Sequence, residues 1–106
     1  MPSFSKDERL LKSRDFSTTY KIGKKASSRH FFVAWVAGAK RRLGITVSAK
    51  VGNACVRNRI KRVIRDFFRL NKNLFPLGDC VVTAKIGAGE LDNKGIREEL
   101  GKILCN

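Results

Sequence analysis

One stretch dominates the chain: Lys50-Val-Gly-Asn-Ala-Cys-Val-Arg-Asn-Arg-Ile-Lys-Arg-Val-Ile-Arg-Asp-Phe-Phe-Arg69, in which seven of twenty residues are Lys or Arg and only Asp66 is acidic. Its spacing predicts a helix. Asn53 suits the N-cap, where a side-chain oxygen accepts from amides the first turn leaves unpaired. Val56, Ile60, Val63, Ile64 and Phe67 recur at helical intervals as one apolar stripe. Arg57, Asn58, Lys61, Arg62, Arg65 and Arg69 fall on a different arc. A charged helix in water ordinarily carries acids that pair with its bases at i, i+4; here they are nearly absent and the charges repel. One face is built for burial and another for an anionic partner.

The rest of the composition points the same way. With 23 basic and 9 acidic residues among 106, the formal net charge is +14, while the hydrophobic fraction of 42% is ordinary for a globule. Residues 1–106 are expected to form a single domain, since the length suits one modest core. Nucleic acid is the first candidate partner and an anionic membrane surface the second. No run approaches the roughly 20 apolar residues of a membrane span, and Met1-Pro-Ser-Phe-Ser-Lys-Asp-Glu8 has no signal-like apolar core, so a cytoplasmic protein is expected. Cys55, Cys80 and Cys105 are widely separated and odd in number, which argues against a disulfide framework or zinc site. The lone histidine, His30, has no local acid or Cys and reads as a strand-edge residue.

Upstream, Ser13 to Gly23 reads as a short helix, with Ser13 as cap, Asp15 in the first turn and Gly23 at the exit. Phe16 and Tyr20 share one of its faces, either as core residues or as a platform on which unpaired bases stack for about 1–3 kcal/mol each. Residues 24–29 read as a basic loop. His30 to Ala37 is a strand apolar on both faces, hence central or presenting a binding surface, with Phe31, Val33 and Trp35 alternating against Phe32, Ala34 and Val36. A short turn leads to a second, half-buried strand, Leu43 to Ala49, and the two are expected to pair as an antiparallel hairpin. After the basic helix, Pro76 and Gly78 break the chain before a third strand, Asp79 to Lys85, a parallel neighbour of the second by crossover. Asp92 or Asn93 caps a closing helix with Ile96, Leu100, Ile103 and Leu104 on one side. The expected fold is α+β, an α-β-β-α-β-α sandwich with one mixed β-sheet.

Hydrolytic chemistry by the polypeptide would need carboxylates converging on a cation, but the nine acids are scattered and no P-loop, G-x-S-x-G or zinc pattern occurs. What remains is a phosphate-binding surface. Arginine forks pair bidentately with phosphate and Lys61 adds a point charge. About six such contacts give a log K against log salt slope of roughly −4 to −5. Gly52, Ala54 and Cys55 are small enough for an RNA backbone to approach.

The run from Lys50 to Arg65, with Arg57-Asn-Arg59 at its heart, is similar to the signature of the protein subunit of bacterial ribonuclease P. Arg42-Leu-Gly-Ile-Thr-Val-Ser48, the element holding Phe16 and the strand Asp79-Cys-Val-Val-Thr-Ala84 also resemble that family. The resemblance implies a ribonucleoprotein endonuclease that removes the 5′ leader of precursor tRNA. Its large RNA is then the catalyst and holds the Mg2+ ions, with no cofactor on the protein. The protein is implied to form a 1:1 heterodimer with that RNA and to broaden the range of substrates. By position, Arg57, Asn58, Arg59, Lys61, Arg62, Arg65 and Arg69 would bind the RNA subunit. Phe16, Tyr20, Phe32, Trp35 and Lys50 would line a cleft for the single-stranded leader. The implied fold is that of ribosomal protein S5 domain 2-like proteins, with a left-handed β-α-β crossover in place of the generic right-handed one. The short 38–41 loop and early C-terminus imply the loss of contacts made by longer tails. Two other classes compete: a ribosomal protein or general RNA chaperone, and a major-groove DNA helix, which lacks a second helix-turn-helix element here.

Overall fold

The computed structural model describes residues 13–104, and the side chains of residues 13–15 are not included in that description. The expected cap at Ser13 and the first-turn place of Asp15 rest on side chains outside that description, and residues 1–12, expected to be loosely ordered, and Cys105 lie outside the described residues. The chain runs α1 (Ser13–Ile22), β1 (Lys24–Ser27), β2 (Phe31–Ala37), β3 (Arg42–Val47), α2 (Ala54–Leu70), β4 (Gly78–Ala84) and α3 (Asn93–Leu104). Short 3-10 turns lie at Ala49–Val51, Lys72–Leu74 and Ala88–Glu90.

One mixed sheet has the order β1-β2-β4-β3. The sandwich is α+β as expected, with two corrections. The segment read as a basic loop supplies strand β1, so the order is α-β-β-β-α-β-α. Lys and Ser are weak strand formers, and pairing with β2 (Lys24 opposite Trp35, Ser27 opposite Phe32) overrides that propensity. Second, β2 and β3 do not form a hairpin. β4 lies between them, antiparallel to β2 and parallel to β3. The doubly apolar β2 needs a neighbour on each side, and β4, delivered by the α2 crossover, takes the inner one. Gly78 makes this insertion feasible: its φ is 141°, and a Cβ there would fall 2.0 Å from the Val36 carbonyl oxygen.

Strand alternation divides the sheet between two helical layers. Phe31, Val33, Leu43, Val47, Cys80, Val82 and Ala84 face Ile60, Val63, Ile64, Phe67 and Phe68 of α2 and Ile96 and Leu100 of α3. The opposite face, with Ala34 and Val81 fully buried, is covered by α1, which packs on β2 and β4 and buries Thr19. Asn53 caps α2, its side-chain oxygen accepting from Val56 N at 3.0 Å. Asp92 caps α3, with Oδ1 accepting from Gly95 N at 2.7 Å.

Candidate nucleic-acid interface

Burial of the α2 stripe turns the opposite side of the helix to solvent. Asn58, Arg62 and Arg65 are exposed, and with the half-buried Arg69 they recur at i, i+4, i+7 and i+11. This row spans about 16 Å at 1.5 Å per residue. Arg57 and the half-buried Lys61 flank it on one side. Arg57 Nε donates to the Gly52 carbonyl at 3.2 Å, leaving its terminal amino groups for other partners. Arg69 lies 3.7 Å from Asp66. Arg59 departs from the row: Nη1 donates to Asn93 Oδ1 at 2.9 Å and Nη2 to the Gly89 carbonyl at 3.1 Å.

The other candidate surface lies where α1 crosses the sheet. The Tyr20 and Phe32 rings stack with centroids 6.0 Å apart and planes 22° apart. The Tyr20 hydroxyl bonds Thr83 Oγ1. Phe32 and Thr46 are both in register with Thr83, so the three form a row across β2, β4 and β3 on the α1 face. Phe16 is one turn before Tyr20 and half-buried. Since α1 covers β2 and β4, the row opens toward β3, whose end leads to the exposed Lys50 in the Ala49–Val51 turn.

Trp35 does not join this group. Period-two alternation places it with Phe31 and Val33 on the other face, where it packs against the core and lines a cleft of about 260 Å³ with Leu74, Phe75, Pro76, Ile103 and Leu104. Thr83 and Thr46 were not singled out from sequence; only the strand register brings them beside the aromatic pair.

Elsewhere the polar side chains hold the fold together. Arg42 binds Asp79 through both carboxylate oxygens, at 2.7 and 2.8 Å. His30 Nδ1 is 2.8 Å from Glu99 Oε1, so the histidine is a strand-edge anchor, as expected. Burial pushes the Cys80 thiol up to about 12, which keeps it protonated and unreactive, while Cys55 is exposed. No three His, Cys, Asp or Glu side chains gather as a metal site among the described residues. No described helix is long and apolar enough to cross a membrane.

A cationic helix row and an aromatic-hydroxyl strip thus share one small α+β frame. The ribonuclease P family profile matches residues 4–106. The ribonuclease P protein component of Desulforapulum autotrophicum is 43% identical over 104 residues, covering 95% of this chain and 89% of that protein. That of Geotalea uraniireducens is 39% identical, covering 96% and 92%. Among solved structures, the RNase P protein of Staphylococcus aureus superposes with a TM-score of 0.87 at 36% identity, covering 92% of this chain and 93% of that one. The RNase P protein of Thermotoga maritima gives 0.81 at 38% identity, covering 92% and 94%. The chain belongs to the bacterial ribonuclease P protein family, the protein component of an endoribonuclease ribonucleoprotein that processes tRNA.

Proposed function

We propose that α2 docks this chain onto the catalytic RNA of ribonuclease P and that the strip between α1 and β3 holds the single-stranded 5′ leader of precursor tRNA. The row of exposed Asn58, Arg62 and Arg65 with the half-buried Arg69, flanked by Arg57 and Lys61, carries the first half. Its cations have few acids nearby, and guanidinium forks match phosphate oxygens. The stacked pair of Tyr20 and Phe32 carries the second half: flat rings accept any base by stacking, while Thr83, Thr46 and the Lys50 ammonium offer hydroxyl groups and charge along the strand. Phe16 extends the aromatic surface by one helical turn.

In this reading the polypeptide performs no bond cleavage. Mg2+ acts in the RNA active site, and the scattered carboxylates of this chain hold none of it. By adding leader contacts outside the RNA, the protein raises affinity for precursors and widens the range of substrates processed. One protein pairs with one RNA, in the cytoplasm, and residues 1–106 act as one RNA-binding domain.

The test is a comparison of precursor and mature tRNA on the reconstituted holoenzyme. Phe32→Ala removes one stacking ring and should weaken precursor binding about five- to a hundredfold. Mature tRNA, which has no leader, should bind as before. Equal loss for both ligands overturns the leader assignment, and cleavage at the mature 5′ end by protein free of RNA overturns the assignment of catalysis to the RNA.

A further inference from the structure

We propose that Arg59 is a positioning residue, fixing the start of α2 against the β4–α3 connection, and not one of the phosphate ligands. Arg59 follows Asn58 by 100° on the helix, which turns it away from the exposed row and toward the Ala88–Glu90 turn. Its two terminal nitrogens reach two different elements: Asn93 at the first residue of α3, 2.9 Å away, and the Gly89 carbonyl, 3.1 Å away. Gly89 is seated tightly from the other side. A Cβ there would lie 2.8 Å from Val56 Cγ1 and 3.1 Å from the Val51 carbonyl oxygen. Val51 adjoins Gly52, whose carbonyl accepts from Arg57 Nε at 3.2 Å.

One guanidinium thus ties α2 to the turn and to α3, and the turn in its place supports the segment carrying Lys50, Gly52 and the Asn53 cap. The bridge depends on the planar fork, which separates two donors at fixed spacing; an ammonium on a flexible stem cannot reproduce it. Both acceptors are neutral, so the fork's geometry matters here and its charge does not. Through this brace Arg59 sets where Arg57 and Asn58 stand, without touching RNA itself.

The inference rests on the reading of α2 as the interface to the catalytic RNA, and one control separates the two. Binding of that RNA to the full chain is measured over a salt series. The double variant R62A/R65A should lower the slope by about 1.4–1.8, two contacts' worth; an unchanged slope and affinity would sink the interface reading, and this proposal with it. The remaining arms concern Arg59 alone. R59K, which keeps the charge, and N93A, which removes none, should each weaken binding about three- to tenfold with the slope unchanged. The pair R59K/N93A should be no weaker than the worse single variant. Asp92 supplies the α3 cap, so Ala at position 93 leaves that helix start in place. The proposal is overturned if R59K binds like the parent while R59A lowers the slope by about 0.7–0.9. It is equally overturned if N93A lowers only the melting temperature and leaves RNA affinity unchanged.

Discussion

Glu99 holds three groups with one carboxylate. Its Oε2 accepts from the Ser28 hydroxyl and from the His30 amide at 2.7 Å, and its Oε1 meets His30 Nδ1 at 2.8 Å. The β1–β2 turn is thereby pinned to α3. Partial burial pushes this carboxyl upward, but the Ser28 and His30 hydrogen bonds and the His30 charge outweigh it, so it sits below its ordinary 4.5. A depressed carboxyl stabilises the fold fully above the ordinary value and loses that contribution as pH falls through the folded one. Glu99→Gln should therefore lower the melting temperature at pH 7, with the gap from the parent closing below pH 4.5; a gap independent of pH would show that the charge is immaterial. Single residues were the hardest part of this chain to read in sequence. Trp35 and Phe32 look equivalent as aromatics in one strand, and only the alternation of faces separates them. Thr83 carries no signal until β4 is known to lie beside β2.

On α2, burial competes with like-charge repulsion, and the magnitudes decide. Ile60, Val63, Ile64, Phe67 and Phe68 are buried, worth about 1.5–3 kcal/mol each as an upper estimate. Arg57–Lys61, Lys61–Arg65 and Arg65–Arg69 are like-charged i, i+4 pairs costing about 0.2–0.5 kcal/mol apiece. The apolar side wins several-fold, so the helix persists despite these like-charged pairs. Phe68 is fully buried and meets Phe75 edge-on at 4.8 Å. Phe68→Ala should cost about 3–5 kcal/mol in denaturant unfolding, and a loss below about 1 kcal/mol would mean that this corner of the core is loosely packed. This element was almost wholly legible in sequence, since its cap, stripe and exit depend on local spacing. β1 was not, because its strand character comes from its partner and not from Lys-Lys-Ala-Ser. Sequence suggests a β2–β3 pair for a related reason: proximity along the chain is the default, and the later strand β4 displaces it.

Across the whole molecule, charge is distributed unevenly. No Asp or Glu occurs from Phe16 through Arg65. Two of the later acids, Asp79 and Glu99, are engaged in tying elements together. The free protein therefore carries self-repulsion that salt relieves. Raising NaCl from 0.01 to 0.15 M shortens the screening length from about 30 to about 8 Å and should raise the melting temperature of the RNA-free chain, while weakening its hold on RNA. A melting temperature that falls with salt would contradict this picture of unneutralised charge. The place of β4 has a consequence in time. It is the last strand made, yet it alone joins β2 to β3, and both its pairings link distant parts of the chain. Such non-local closure is slow compared with helix formation. As the chain leaves the ribosome, its most basic helix is complete before the sheet that must seat it can exist. The assembly of this protein is therefore governed by its C-terminal third, although the surface that meets RNA is written in the middle.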